Sequence, residues 1–325
     1  MKKTIAVTAG GTSSEYVISM KSAETILSFI DREKFTPYQV VISKDGWFAH
    51  LNDQKYPINK DNFSFVLEGQ EITFDFVYNT IHGTPGEDGK VQGYFDLLGI
   101  PYSGCDVITS SITFNKNLCK RVVDSYGITT PKSVMLNHKL DYDVEQLKKE
   151  LNFPCFVKPN NGGSSFGASK VDEATQLKAA IKLAFEHDQE VLIEDYIKGT
   201  EMTCGVYLQD GQPKALPITE IVSKNAFFDF KAKYEGDSEE ITPARITDEQ
   251  TAECQKLSEH IYALLNCKGL VRIDYMMMEG VLYFIEVNTT PGFSMESIIP
   301  QQIRAAGLEI GQIVNQQISS KAILQ

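Results

Sequence analysis

The sequence predicts a mixed α/β and α+β protein built in two or three lobes. Three observations carry this. The 325 residues exceed the size at which a single hydrophobic core usually stops growing. The first hundred residues set short apolar runs beside a segment of helical apolar spacing, as in an open α/β domain. After them come a helical stretch, a glycine-serine loop between short strands, and a further series of strands, as in α+β lobes. The expected boundaries are 1–104, 105–194 and 195–325.

In the first lobe, residues 4–9 read as a short buried strand. Beyond Gly10-Gly11-Thr12-Ser13-Ser14, the apolar positions Met20, Ala23, Ile26, Leu27 and Ile30 recur at helical spacing. Residues 38–43 and 74–79 read as further strands, and 83–89 as an exposed, turn-rich segment. The second lobe opens with one helical stretch over 110–126, stopped by Gly127, followed by an extended piece at 130–135. Residues 156–158 and 168–171 are expected strands on either side of the glycine-serine loop. Asp172 is expected to cap a helix whose inner face is Leu177, Ala180, Ile181, Ala184 and Phe185. Strands are then expected at 191–194, 202–208, 271–277 and 281–287. Residues 225–244 lack a clean period, which in a compact domain suggests a functional lid.

Composition narrows the function. With 42% hydrophobic and 23% charged residues the chain reads as globular. Lys+Arg 31 against Asp+Glu 43 gives a net charge of -12, which opposes unselective attraction to nucleic acid or to an anionic membrane. A polyanionic ligand must therefore be held by a few local cations. The six cysteines form no CxxC pair and read as buried thiols of a reducing compartment. The basic, then apolar start is interrupted by Gly10-Gly11 and Glu15 too early for a signal-peptide core, and no apolar run approaches a membrane span. The expected location is the cytoplasm.

Three segments carry chemistry. In the loop over 158–167, glycines let backbone N–H groups approach phosphate oxygens, and hydroxyls add donors. A strand follows it, where a Walker A loop would feed a helix, so it reads either as a flap over a nucleotide or as an ordinary glycine-rich hairpin turn. Next, Arg272 and Asp274 share one face of a strand, and Glu286 and Asn288 share one face of another. These hard oxygens suit Mg²⁺ on nucleotide phosphates, or a salt bridge of Arg272 with Asp274 or Glu286 on a solvated sheet face. Register decides. A two-residue turn at Glu279-Gly280 would pair Asp274 with Ile285 and send Glu286 to the opposite face, whereas a three-residue turn would set Asp274 against Glu286. The odd-length turn is the expectation, with Gly280 in or beside it.

The third segment is Gly10-Gly11-Thr12-Ser13-Ser14-Glu15, which opens a helix whose positive end attracts anions. Glu15 supplies an anion of its own, and the segment lacks the GxGxxG spacing of a dehydrogenase. His82 reads as a ligand-facing group or as a turn histidine. Lys116, Lys158 and Lys233 are candidate phosphate cations. The turn over 288–294 follows a strand end, where ligand sites of α/β proteins tend to lie, and Ser297 stands just beyond it.

Together these segments resemble the D-alanine–D-alanine ligases of the ATP-grasp superfamily over essentially the whole chain. The matching motifs are Gly10-Gly11-Thr12-Ser13-Ser14-Glu15, Ile81-His82-Gly83 with Gly86-Glu87-Asp88-Gly89, and Val157-Lys158-Pro159 with Gly163-Ser164-Ser165-Phe166-Gly167. To these add Ala232-Lys233-Tyr234, Arg272-Ile273-Asp274 and Glu286-Val287-Asn288-Thr289-Thr290-Pro291-Gly292. The resemblance implies an ATP-grasp fold behind an N-terminal open α/β domain. It implies that Lys116, Lys158, Ser164, Ser165, Glu194 and Glu201 hold ATP, the two glutamates on adenine and ribose, with Lys233 on the terminal phosphate. Asp274, Glu286 and Asn288 would bind two Mg²⁺, with Mn²⁺ as a substitute.

By the same resemblance, Glu15 takes the ammonium of the first D-alanine and His82 lies near its carboxylate. Ser164 and Tyr234 link with Glu15 to close the lid. Arg272 and the Gly292 backbone act as oxyanion donors, and Ser297 takes the carboxylate of the second D-alanine. The family usually forms homodimers and supplies the dipeptide for peptidoglycan. Two features depart from its pattern: Phe228 stands where the lid often has tyrosine, and Phe293-Ser294-Met295-Glu296 replaces a Met-Thr-containing turn. Tyr234 matches the dipeptide-forming enzymes and argues against the relatives that use D-lactate. A ligase of D-lactate, D-serine or another carboxylate and amine pair is the nearest alternative.

Overall fold

A computed structural model describes residues 2–164, 166–223 and 238–319. The first lobe runs through β1 (Lys3–Gly10), α1 (Tyr16–Phe29), β2 (Phe35–Ser43), β3 (Gly46–Leu51), β4 (Gln54–Pro57), β5 (Phe65–Leu67), β6 (Gln70–Ile72), β7 (Phe76–Asn79) and α2 (Lys90–Leu98). Its main sheet has the order β4-β3-β2-β1-β7, with β1 parallel to both neighbours. Residues 5–9 of β1 are fully buried, as expected of a strand covered on both faces. One face packs against α1, and the other covers a core that includes Phe63, Phe65, Phe74 and Phe95.

The second segment comprises α3 (Val107–Phe114), α4 (Lys116–Ser125), β8 (Ser133–Asn137), α5 (Val144–Glu150), β9 (Cys155–Pro159), β10 (Ser169–Val171), α6 (Leu177–Phe185) and β11 (Glu190–Asp195), with Cys119 and Val123 of α4 buried in a core shared with residues 202–206 and 271–287. Its sheet is antiparallel, in the order β10-β9-β11-β8, and Leu177, Ala180, Ile181 and Ala184 of α6 are buried against it. The glycine-serine loop closes the β9-β10 hairpin.

Two expectations for this lobe need correction. The single helix over 110–126 is two helices broken at Asn115. Asn115 is extended, forms an isolated bridge to Asn161, and accepts a hydrogen bond from Leu118 N at 3.0 Å as the N-cap of α4. Nor does Asp172 cap α6. A short 3₁₀ turn at Ala174–Gln176 precedes that helix, and Gln176 Oε1 accepts from the backbone N–H groups of Asp172 and Glu173. The Asp172 carboxylate instead pairs with Lys170 at 2.6 Å.

The third lobe holds β12 (Thr200–Gln209), β13 (Gln212–Ala215), β14 (Thr219–Ser223), β15 (Ser238–Ile241), α7 (Asp248–Leu264), β16 (Val271–Met278), β17 (Val281–Asn288), α8 (Ile298–Ala305) and α9 (Ile310–Ser319). Its sheet order is β15-β14-β12-β16-β17, with β13 on β12. Residues 225–237 of the expected lid lie outside the described residues, while 238–241 are strand β15. Ile299, Ile303, Ile313 and Val314 from α8 and α9 share a core with Ala23 and Ile26 of α1, so the chain's end seals its beginning. Asn315 adds hydrogen bonds to Phe29 O at 2.8 Å and from Asp31 N at 2.8 Å. Among the described residues no helix is long and apolar enough to cross a membrane.

Candidate functional site

The three sheets leave between them a cleft of about 1390 Å³. Glu15, His82, Lys116, Lys158, Ser164, Glu194, Glu201, Arg272, Asp274, Glu286, Asn288, Gly292 and Ser297 all line it. Ser165, Lys233 and Tyr234, with Phe228, lie outside the described residues.

The acidic pair sits on β16 and β17, and here the structure corrects the expected turn. Met278 pairs with Val281, so the turn is the two-residue Glu279-Gly280, with positive φ at both positions, 52° and 81°. The pairing nevertheless shifts by one residue between Asp274 and Tyr275. Tyr275 faces Phe284 while Asp274 faces Glu286, leaving Ile285 as the extra residue of a β-bulge. The bulge does what the longer turn was expected to do: it returns Glu286 to the face of Asp274. Arg272 stands opposite Asn288 in the same register.

Asp274 is heavily committed. Its Oδ1 accepts from Arg272 Nε at 2.9 Å and from the Thr203 hydroxyl, and its Oδ2 accepts from Arg272 at 2.8 Å and Asn288 Nδ2 at 2.9 Å. Four donors match the four lone-pair positions of a carboxylate. The salt bridge weighed as an alternative to a metal site thus exists, inside the cleft wall. The donor chemistry still suits a hard divalent cation, because two carboxylates and an amide oxygen stand on adjacent strands. Such a cation has to displace one donor from Asp274. Among the described residues no three His, Cys, Asp or Glu side chains cluster for a metal, so a cation here would need Asn288 and ligand oxygens as well.

Cations face these acids. Lys116 Nζ lies 3.2 Å from Glu286 and donates to Gly162 O at 2.6 Å, tying α4 to the glycine loop. Burial works against the charge of Lys116, but Glu286, with Glu194 and Glu15, outweighs it and raises its pKa. Lys158 lies 2.7 Å from Glu194 Oε2, while Lys120 holds Oε1 and also donates to Pro131 O at 2.8 Å. Burial pushes the Glu194 pKa up, but the ammoniums of Lys158 and Lys120 together hold it below the usual carboxylate range. Burial, reinforced by the nearby Lys158 ammonium, depresses the Lys120 pKa more than Glu194 raises it.

At the other end, Glu15 accepts a hydrogen bond from Ser164 Oγ at 2.6 Å across 149 residues of chain. A Cβ at Gly163 would lie 2.9 Å from Glu15 Oε2, so a side chain there would push the Glu15 carboxylate aside. Glu15 makes no side-chain cap to α1, so its carboxylate serves the cleft.

His82 is buried and both ring nitrogens are engaged, Nδ1 with Thr290 O at 2.7 Å and Nε2 with Ser22 Oγ at 3.1 Å. A carbonyl only accepts, so Nδ1 carries the proton. Ser22 Oγ accepts from Phe293 N at 3.0 Å and gives its own proton to Nε2. Burial lowers the His82 pKa, which keeps the ring neutral. Glu87 joins the same turn, accepting from Gly83 N at 2.7 Å and Thr290 N at 3.2 Å, and burial, reinforced by Glu15, pushes its pKa up to about 8. Next to it, Ser297 Oγ accepts from Ser294 N at 3.0 Å, and a Cβ at Gly292 would approach that hydroxyl to 3.2 Å.

Lys120, Ser22 and Thr203 were not singled out from the sequence. Lys120 had a signal: it falls four residues after Lys116, one helical turn along the same face. Ser22 and Thr203 had none, because their partners lie 60 and 71 residues away.

Residues 4–105 match the family model described as the D-ala D-ala ligase N-terminus, and 122–319 match that of the D-ala D-ala ligase C-terminus. A D-alanine–D-alanine ligase of Phocaeicola vulgatus is 48% identical over 323 residues, covering 99% of this chain and 100% of the relative. Among solved structures, the VanG D-Ala:D-Ser ligase from Enterococcus faecalis superposes with a TM-score of 0.86 at 34% identity, covering 98% of this chain and 99% of that one. The ligase from Bacillus anthracis complexed with ATP superposes with a TM-score of 0.77 at 32% identity, covering 98% and 96%.

Proposed function

The chain belongs to the D-alanine–D-alanine ligase family, and from that premise we infer that it joins two D-alanines at the expense of ATP, supplying the dipeptide for peptidoglycan. The observation that carries the residue assignments is the convergence, in one cleft, of a glycine loop, buried lysines and an acidic pair from separate sheets.

In this reading, a carboxylate oxygen of the first D-alanine attacks the γ-phosphorus of ATP, the bond to the β-phosphate oxygen breaks, and ADP leaves. The amine of the second D-alanine then attacks the acyl carbon of D-alanyl phosphate, losing a proton as inorganic phosphate departs. No protein nucleophile is required, so positioning and charge stabilisation carry the catalysis.

Glu15, held by Ser164, takes the first ammonium. Lys116, Lys158 and the loop donors take the phosphates, with Lys233 on the terminal one, while Glu194 and Glu201 take adenine and ribose. Arg272 and the Gly292 backbone face the oxyanion, and Ser297 takes the second carboxylate. His82, Ser22 and Glu87 hold the turn over 290–293 that carries Gly292. Asp274, Glu286 and Asn288 would hold Mg²⁺, or Mn²⁺ in its place; when bound, the cation supplies positive charge to the phosphate oxygens. We assign the chain to a homodimer in the cytoplasm, and the six buried thiols suit a reducing compartment.

Mass spectrometry of products after incubation with ATP, Mg²⁺, D-alanine, D-serine and D-lactate tests the reading. D-alanyl-D-alanine as the main product supports it. A mixed D-alanyl-D-serine or D-alanyl-D-lactate product would move the chain to the alternative substrate classes, and no ATP-dependent product would remove the ligase assignment.

A further inference from the structure

Lys120 lies behind the cleft wall. Its side chain is 3% exposed, it is absent from the cavity lining, and its ammonium is spent on Glu194 Oε1 and Pro131 O. Glu194, by contrast, lines the cavity, with its other oxygen on Lys158. Each carboxylate oxygen has received one of these donors, and each has a second acceptor position. The wall therefore presents a fixed, ionised acceptor to whatever base lies against it.

We propose that Lys120 is a specificity-determining positioning residue: it keeps Glu194 an acceptor-only group, so that the cleft selects a 6-aminopurine nucleotide over a 6-oxopurine one. The inference rests on the placement of the nucleotide base at Glu194 in the reading above. An exocyclic amine donates to the ionised carboxylate, whereas a 6-oxo group meets it acceptor to acceptor.

The charged groups facing Glu194 are Lys120 from α4 and Lys158 from β9, with Lys116 acting at longer range; Asp124 faces Lys120. Removing Lys120 leaves Glu194 buried with one cation fewer, so its pKa rises. A protonated Glu194 donates a hydrogen bond and accepts a 6-oxo group.

The test is calorimetric binding of ATP and of ITP, each with Mg²⁺, to the full chain and to Lys120→Met at pH 6 and pH 8. The wild type is expected to prefer ATP by about tenfold or more at both pH values, the worth of one hydrogen bond to a charged group. Lys120→Met is expected to lose most of that preference, and to lose more at pH 6 than at pH 8. A purely structural role would weaken both nucleotides alike and leave the ratio independent of pH. Should Lys120→Met fold poorly, Glu194→Gln serves instead: its amide offers a donor, so the preference should fall equally at both pH values. An unchanged ATP to ITP ratio in the variants, beside a wild type that prefers ATP, overturns the inference. A wild type that binds neither nucleotide overturns the ligase reading itself.

Discussion

At the scale of single residues, charge is placed where it can be used only if its partner is also placed. Arg272 is the clearest case, since its guanidinium holds both oxygens of Asp274 while lining the cleft. In its proposed role as an oxyanion donor its loss should cost about 10²–10³ in rate, so Arg272→Ala is expected to fall by that much in kcat with the thermal midpoint near wild type. A rate within threefold of wild type would reassign it to structure. His82 gives a pH prediction. Its folded pKa lies below the ordinary 6.5, so the unfolded chain binds the extra proton first. The stability it contributes is complete above 6.5 and is lost as pH falls below it. Urea midpoints between pH 5 and 7 should therefore drop more steeply for the wild type than for His82→Gln, and imidazole nitrogen NMR should show a neutral ring protonated at Nδ1. Equal slopes would contradict the buried, neutral assignment. The residue types at this site were legible because phosphate chemistry demands them. The tautomer was not, because it depends on Ser22 and Thr290, whose positions only the fold sets.

At the scale of elements, the β16-β17 hairpin shows how a correct outcome can have a different cause. Sequence periodicity called for Asp274 opposite Glu286 and attributed it to turn length; the structure achieves it with a tight turn and a bulge at Ile285. Residues 281–285 are all apolar, so nothing in the local pattern marks where the pleat slips. The buried positions Leu282, Phe284 and Val287 do mark it, by a step of three in place of two. The turn itself carries a stability prediction. Gly280 has φ +81° and nothing within 4 Å of an added Cβ, so Gly280→Ala should cost only the backbone term of about 1–2 kcal/mol. It lies six residues from Asp274, beyond Met278, which alone is about 13 Å along the strand. Chemical denaturation should register that loss while turnover stays unchanged; a large loss of activity would mean that the turn is coupled to the acidic pair. The break at Asn115 was hidden for a related reason, because its cause is a contact with Asn161 in another segment.

At the scale of the molecule, the cleft exists because the chain closes on itself. Helices α8 and α9 bury Ile299, Ile303 and Val314 against the first lobe, which brings the turn over 290–297 to Glu15 and His82. Ser164 to Glu15 and Lys116 to Gly162 then draw the glycine loop over the same space. The β-α-β opening, the glycine hairpin and the paired acidic strands could each be read from the sequence, because each is a local pattern. Their convergence could not, since it is set by long-range packing between apolar faces. The most direct measurement is a crystal structure with Mn²⁺ and a nonhydrolysable ATP analogue, with the metal located by its anomalous signal. The account predicts the triphosphate beneath the glycine loop between Lys116 and Lys158, with Mn²⁺ bound by both Asp274 and Glu286. A triphosphate outside this cleft, or a metal that touches neither carboxylate, would contradict it.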